Sequence, residues 1–275
     1  MNRFSYFKPT LAQSWVIVAL MFAGSLALGA ISSVIKVFGG SGGLECESLS
    51  YLGSMLVPFI YIWLKAGAAR GAEQEPKALT AGHFGKLGAA WTFVTAAIGV
   101  FAFGIVLEPT TAFIPMPEAI KKIFEEAFLN VPLWDGILST CILAPLCEEF
   151  LCRGMMVRGM LSEGRSPRSA ILWSALIFAV MHFNPWQSIP AFVIGAFFGW
   201  LYVKTGSLWL TVALHAFNNG LSTLMTRLMP DLGVDEGWMD ILPTGKYILI
   251  YAICLVLVAQ AIILIYRNYE KTISD

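Results

Sequence analysis

Residues 144–153 read Ala-Pro-Leu-Cys-Glu-Glu-Phe-Leu-Cys-Arg and place two adjacent carboxylates and an arginine inside an otherwise apolar segment. Ionisable groups at membrane depth cost about 2.5 kcal/mol or more each, so they indicate a functional site with a nearby partner. On a helix, Glu149 and Arg153 are four residues apart and share a face, whereas Glu148 is rotated away. The spacing predicts that Arg153 neutralises Glu149 and leaves Glu148 free. The alternative is a structural ion cluster of all three.

The composition of the 275-residue chain is that of an integral membrane protein. Hydrophobic residues make up 57% of the chain and charged residues 13%, whereas soluble domains carry about 25% charged residues. The mean hydropathy is +0.70. The net charge is zero and no basic run is present, which argues against a nucleic-acid partner. The cysteines lack CxxC spacing, so we expect no disulfides.

Eight apolar segments are long enough to cross or nearly cross a bilayer, which takes about 20 residues. The fifth and sixth are separated only by Asn184-Pro185 and could instead form a broken or re-entrant pair. The sequence therefore predicts an all-α polytopic membrane helix bundle of about eight transmembrane helices, in a single integral membrane domain of residues 1–275. The segments run near 12–37, 49–66, 85–107, 133–160, 168–184, 186–204, 207–227 and 246–267.

Charges differ in sign between alternate loops. If the N-terminus lies inside, the inner loops collect most of the 18 basic residues and the outer loops most of the acidic ones. The positive-inside rule then predicts that both termini are cytoplasmic. No organelle-targeting signal is evident, so we expect a bacterial cytoplasmic (inner) membrane. An amphipathic helix on the outer surface is predicted for 115–129, with a solvated connector as the alternative.

Two of the three histidines fall inside predicted membrane spans. His182 shares a helix face with Phe178, and His215 shares one with Asn219, because each pair is four residues apart. At 1.5 Å per residue from the inner ends of the spans, Glu148, His182 and His215 lie roughly 13–21 Å deep. One mid-membrane site is therefore geometrically feasible.

A carboxylate, two imidazoles and a carboxamide in a dry cavity suit peptide-bond hydrolysis. Glu148 would take a proton from a water that His182 orients, while His215 and Asn219 would donate to the oxyanion. Alternatively, Glu148, His182 and His215 would be ligands of a catalytic zinc ion that activates the water. The sequence contains no HExxH helix, and it leaves both mechanisms open.

Three motifs in order carry a family resemblance. Glu148-Glu149-x-x-x-Arg153, Phe178-x-x-x-His182 and His215-x-x-x-Asn219, on successive predicted helices, resemble those of the CAAX-protease and bacteriocin-processing (CPBP) family of intramembrane endopeptidases. That family includes the CAAX prenyl endopeptidases. The similarity covers about residues 133–225, which we take as the catalytic core.

The resemblance implies a role for each matching residue. Glu148 and His182 would activate the water, and His215 with Asn219 would form the oxyanion site. Glu149 and Arg153 would be supporting residues, with the Phe178 ring beside His182. The resemblance also implies an eight-helix bundle whose cavity opens toward the cytosolic leaflet.

Two other classes of function compete with a peptidase. Intramembrane Glu, Arg and His also mark the ion pathways of transporters and proton-coupled carriers, although no repeated halves are evident. A non-catalytic immunity or scaffold membrane protein could keep the motifs for structure, although every candidate catalytic residue is intact. The expected partners are the lipid bilayer and a peptide or protein substrate at the membrane, and prenylation of that substrate stays open. We expect alanine at Glu148, His182 or His215 to abolish proteolysis without unfolding the protein.

Overall fold

The described part of the chain is all helical. The computed structural model describes residues 3–39, 46–70, 78–128, 131–229 and 232–273. Short 3₁₀ turns at Arg3–Tyr6 and Gly85–Leu87 accompany the longer helices. In chain order, these helices are α1 Leu11–Gly39, α2 Glu47–Ala69, α3 Gly88–Ala112, α4 Glu118–Phe128, α5 over 133–162, α6 Pro167–Met181, α7 Pro185–Thr205, α8 Leu208–Leu228, α9 Trp238–Ile241 and α10 Thr244–Ile273.

The helix α5 alternates between α-helical and π-helical turns. Its π-helical stretches are Ile137–Leu143 and Phe150–Val157. In the first stretch, the Ala144 N–H donates to the carbonyl of Ser139, five residues back. The next donor in that register would be Pro145, which has no N–H. The carbonyl of Thr140 instead accepts a hydrogen bond from the Asn219 side chain of α8, at 2.8 Å.

The long helices pack mainly as pairs around α5 and α8. The pairs are α1 with α2, α3 with α10, and α6 with α7, and α5 contacts α2, α6 and α8. Apolar side chains of α5 form part of a fully buried core, with Leu151, Met155 and Met156 all at 0% exposure. Glu149 and Arg153 of α5, both at 0% exposure, therefore lie in a closely packed surrounding.

The start of α2 is fixed by a side chain of α5. The carboxylate of Asp135 accepts the backbone N–H groups of Glu47 at 2.6 Å and Ser48 at 3.0 Å, and the Cys46 thiol at 3.2 Å. The first amides of a helix lack partners within the helix, so a carboxylate from outside caps them. This contact joins α2 to α5 and sets the register of α2 beside the carboxylates of α5.

The all-α class is confirmed, and each of the eight predicted apolar segments coincides with a long helix. Within the described residues, five helices are long and apolar enough to cross a membrane: Leu11–Ile35, Glu47–Ala69, Gly85–Ala112, Pro185–Thr205 and Thr244–Tyr269. Helix α6 is apolar but shorter, while α5 and α8 carry the polar residues of the candidate site. The count of eight spans and the orientation of the termini stay predictions.

The expected amphipathic segment forms the helix α4. It begins at Glu118, three residues later than the predicted segment, and residue 129 lies outside the described part of the chain. Lys121 pairs with Asp235 at 2.8 Å, and Ile123 is 60% exposed. Because a carboxylate acceptor stabilises the ammonium, the pKa of Lys121 is raised by its hydrogen bond to Asp235. This contact ties α4 to the segment before α9.

Candidate active site

The predicted site residues come from three neighbouring helices. Glu148 and Glu149 lie in the short α-helical segment Ala144–Glu149, between the two π-helical stretches of α5. His182 is the residue at which α6 ends, and His215 lies in the middle of α8. Since π-helical turns often occur at functional sites, the local helix geometry also points to this segment.

One side of the site is a dry ion pair. The Arg153 Nη1 donates to Glu149 Oε1 at 2.7 Å, and both side chains have 0% exposure. The Nη2 of Arg153 donates to the Gly195 carbonyl of α7 at 2.7 Å. The guanidinium also lies over the rings of Phe178 and Phe198, at 4.9 and 5.7 Å from the centroids. The ion pair expected from the spacing is thus present, and it ties α5 to α6 and α7.

Gly195 allows α7 to approach this ion pair closely. A Cβ atom at position 195 would lie 3.0 Å from Phe178 Cδ1 and 3.3 Å from Arg153 Nη2. Both distances are tighter than ordinary van der Waals contacts. Glycine therefore leaves room for the guanidinium to reach the backbone carbonyl.

His215 connects the two carboxylates. Its Nδ1 lies 3.0 Å from Glu149 Oε1, and its Nε2 lies 3.9 Å from Glu148 Oε2. A carboxylate accepts hydrogen bonds, so Nδ1 carries the hydrogen in this contact. The ring is 4% exposed and packs edge-on against Phe178, with centroids 5.5 Å apart. Glu149 therefore holds Arg153 and His215 together, and His215 presents its Nε2 to Glu148.

The other side of the site faces a cavity of about 190 Å³. Glu148 is 14% exposed there, and its Oε1 accepts a hydrogen bond from the Tyr51 hydroxyl of α2 at 3.1 Å. Both side chains line the cavity together with His182. Its walls come from α1, α2, α5 and the end of α6, with Met21, Phe22, Ser25, Ser54, Met55 and Met181 as the remaining lining residues.

His182 is fixed by the backbone of its own helix. Its Nδ1 lies 2.8 Å from the Phe178 carbonyl, and its ring stands edge-on to the Phe178 ring at 4.9 Å. A carbonyl can only accept, so Nδ1 carries the hydrogen and the Nε2 of the neutral ring keeps its lone pair. The next residue, Phe183, has φ of 55°, the one positive value at a described non-glycine residue. This conformation is rare for an aromatic residue and ends α6 sharply behind His182.

Asn219 is held against the backbone of α5. Its Nδ2 donates to the Thr140 carbonyl, and its Oδ1 accepts from Asn218 Nδ2 at 3.3 Å. Neither Asn219 nor His215 lines the 190 Å³ cavity. The structure thus brings Glu148 and His182 to one cavity and places His215 behind Glu148, while Asn219 contacts the π-helical stretch of α5.

The predicted zinc ligands do not form a ligand cluster. In the ranges that the structure describes, no three His, Cys, Asp or Glu side chains are placed to hold a metal ion. The Nδ1 of His215 is bonded to Glu149, and its Nε2 lies 3.9 Å from Glu148. The predicted ligands Glu148, His182 and His215 are thus not found together as a three-ligand cluster.

Three features of the site were not predicted from sequence: the contact of Tyr51 with Glu148, the close approach of Gly195, and the bond from His215 to Glu149. A tyrosine one turn inside an apolar helix was a usable signal, because a buried hydroxyl needs a partner. The sequence gave no signal for the other two. A larger cavity of about 460 Å³, lined by α3, α8 and residues 232–241, contains none of the predicted site residues.

The described residues are helical and include several apolar helices of membrane length. Carboxylates and imidazoles lie beside an internal cavity. These are features of an integral membrane hydrolase. Residues 130–221 match the family model described as "Type II CAAX prenyl endopeptidase Rce1-like". No curated protein and no solved structure matches the chain. The apolar helices and the match together support an integral multi-pass membrane protein that is similar to CAAX-type proteases over residues 130–221.

Proposed function

We propose that the protein is an intramembrane endopeptidase that hydrolyses peptide bonds of peptides or proteins at the membrane, with Glu148 as the general base. One observation carries this proposal: Glu148 and His182 come from different helices and line the same cavity, and each is held by a hydrogen bond, Glu148 from the Tyr51 hydroxyl and His182 to the Phe178 carbonyl. The Rce1-like match supports the same reaction class. A bacterial inner membrane with both termini inside remains part of the proposal.

The charges of the site favour one protonation state for catalysis. Glu148 and Glu149 carry two negative charges, and Arg153 supplies one positive charge to this low-dielectric region. A proton shared between Glu148 and His215 would complete neutrality, since buried charges are stable when they are paired. When that proton is on His215, Glu148 is a carboxylate that can accept a proton from water. The same state gives His215 an Nε2–H donor.

The reaction then follows from the positions of the donors and acceptors. A water in the cavity would donate one hydrogen to Glu148 and the other to the free lone pair of His182 Nε2. The water oxygen forms a bond to the substrate carbonyl carbon while Glu148 takes the proton. The C–N bond then breaks, and Glu148 returns the proton to the leaving amine. Atoms and charge balance without a covalent enzyme intermediate.

His215 and Asn219 are our candidates for the oxyanion site. The Nε2–H of protonated His215 would donate to the developing oxyanion beside Glu148. Asn219 uses one amide hydrogen on the Thr140 carbonyl, and its second amide hydrogen would be the other donor. Such preorganised donors commonly supply about 3–4 kcal/mol of transition-state stabilisation each. Because neither residue lines the cavity, we expect the bound substrate to reach past Glu148 toward α8.

The metal alternative is decided by a separate measurement. We assign no step to zinc, because no three-ligand cluster is found among the residues that the structure describes. Metal analysis of the purified protein, paired with chelator treatment, should find sub-stoichiometric zinc and unchanged cleavage. Stoichiometric zinc that is lost together with activity would replace this mechanism by the zinc-activated water mechanism.

The direct test of the function is a comparison of membrane proteomes and peptidomes between a wild-type and a Glu148→Gln strain. Substrates should accumulate uncut in the mutant, and the purified wild-type protein should cleave them in proteoliposomes. Glu118→Gln is the matched control, because Glu118 is an exposed carboxylate outside the site. Identical proteomes in all three strains, with no cleavage by the purified protein, would reject a peptidase function.

A further inference from the structure

We propose that Tyr51 is a positioning residue for Glu148: its hydroxyl holds one carboxylate oxygen in place and thereby aims the other at the reacting water. This inference rests on the proposed function of Glu148 as the general base. Tyr51 lies on α2, outside the 130–221 stretch of the family match. It therefore adds a residue from the N-terminal helices to a site otherwise built from α5, α6 and α8.

The contact is specific in its geometry. The Tyr51 hydroxyl lies 3.1 Å from Glu148 Oε1, and both side chains line the 190 Å³ cavity. A carboxylate has only acceptor oxygens, so the phenol donates the hydrogen. The opposite oxygen, Oε2, is the one that faces His215 Nε2 at 3.9 Å. The two oxygens of Glu148 therefore have different surroundings, one held by Tyr51 and one available for proton transfer.

The position of Tyr51 is itself fixed. Asp135 of α5 caps the first turn of α2 through Glu47 and Ser48, and Tyr51 follows one helical turn later. The Tyr51 ring also packs against the buried core cluster that contains Leu151 of α5. Helix α2 is thus joined to α5 at both Asp135 and Glu148. A hydroxyl held in this way stabilises one rotamer of a carboxylate that is otherwise partly exposed.

Hydrogen bonding to a carboxylate favours its charged form. Removing the donor should therefore change the pH dependence of a reaction in which Glu148 is the base. The titratable groups around Glu148 remain in place in such a variant: Cys147, Glu149, Cys152 and Arg153 of α5, His182 of α6 and His215 of α8, while the cavity residues of α1 carry no titratable side chain. A change in pH dependence can then be assigned to the hydroxyl.

The test is the Tyr51→Phe variant of the full chain, which keeps the ring and removes only the hydroxyl. We expect kcat for cleavage to fall about tenfold, as for a lost hydrogen bond to a charged group, with KM within about twofold. The pH–rate profile should also change, because the base has lost the hydrogen bond to its charged form. An unchanged kcat and an unchanged pH–rate profile would overturn the proposal and show that Tyr51 only lines the cavity.

Tyr61→Phe is the matched control on the same helix. The Tyr61 ring packs edge-on against Phe7 at 6.0 Å and lies near Lys65, away from the cavity. This variant should keep the wild-type kcat and pH profile. Thermal unfolding of both variants shows whether either has lost stability, and a fall in kcat is assigned to Glu148 only if the pH profile also shifts.

A spectroscopic measurement separates this inference from the proposed function. The infrared carboxylate stretches of Glu148, identified by their loss in Glu148→Gln, can be recorded in the purified protein without any substrate. Their frequencies should differ between Tyr51→Phe and wild type, because the hydrogen bond from the hydroxyl is lost. If no cleavage is found but the bands shift, positioning by Tyr51 stands and the peptidase function fails. If cleavage is found and the bands do not move, the positioning role fails alone.

Discussion

Glu148 and Glu149 are adjacent in the chain but lie in opposite environments. Glu149 is fully buried, bonded to Arg153 and His215, and Arg153 is bonded in turn to a backbone carbonyl of α7. Glu148 borders a cavity with Tyr51 and His182. Two identical side chains one residue apart thus face a dry core on one side and an open space on the other.

The difference separates two expected roles on one helix. The dry side supplies fixed charges and joins α5, α7 and α8, so we expect its residues to control stability. The cavity side has fewer partners and room for a small molecule, so we expect its residues to control the rate of the proposed reaction. Variants on each side test this separation of roles.

The largest expected effect is on the dry side. Arg153→Ala leaves Glu149 buried without its cation, and we expect the free energy of unfolding to fall by about 3–5 kcal/mol. Chemical denaturation in detergent measures this change. Arg165→Ala is the control, because Arg165 pairs with Glu163 at the surface and such pairs contribute about 1 kcal/mol or less. Equal stability of the two variants would show that the dry ion pair has no structural role.

On the cavity side, His182→Asn should separate activity from stability. The asparagine amide can keep the hydrogen bond to the Phe178 carbonyl while the Nε2 lone pair is lost. We expect the cleavage rate to fall about 10²–10⁴-fold and the unfolding temperature to stay near that of wild type. Cleavage at the wild-type rate would remove His182 from the mechanism.

His215 contacts both the dry side and the cavity side, so His215→Ala should lower both the free energy of unfolding and the cleavage rate. The sequence predicts a folded but inactive protein. Because Glu149 also loses a hydrogen-bond donor, the structure adds a loss of about 1–3 kcal/mol in the free energy of unfolding. Denaturation and cleavage assays on the same preparation test this. A variant with wild-type stability would contradict the bond between His215 and Glu149.

The smallest effect concerns the approach of α7 to the ion pair. Gly195→Ala places a methyl group against Phe178 and Arg153, and we expect a loss of about 1–3 kcal/mol in the free energy of unfolding. Gly104→Ala is the control, since a Cβ there meets no atom within 4 Å. It should be neutral or slightly stabilising, by up to ~1 kcal/mol. Equal destabilisation by both variants would mean that close packing at position 195 is unimportant.

Much of the architecture was predictable because hydropathy depends only on the local sequence. The eight apolar segments coincide with long helices, and the i,i+4 spacing of Glu149 and Arg153 produced their ion pair. The number of spans was less predictable: α5 and α8, which contain the polar groups of the site, are not among the five described helices that are long and apolar enough to cross a membrane. The polar residues of the site thus make the helices that contain them harder to recognise as membrane spans.

Contacts between helices were not predictable from a single sequence. The bond of Tyr51 to Glu148 depends on the register of α2, which Asp135 sets. The π-helical stretch before Glu148 ends just before Pro145, which has no N–H to donate to Thr140, and the Asn219 amide of α8 donates to that carbonyl instead. Hydropathy specifies neither the rotation nor the register of one helix against another, so these contacts required the structure.

The most direct test of the account is a side-by-side measurement of unfolding and cleavage for Glu148→Gln and Glu149→Gln. We predict that Glu148→Gln unfolds like wild type and cleaves at least about 10²-fold more slowly. Glu149→Gln removes the charge that pairs with buried Arg153, so it should lose about 3 kcal/mol or more in the free energy of unfolding. Wild-type cleavage by Glu148→Gln, or wild-type stability of Glu149→Gln, would contradict the division of roles between these two neighbours.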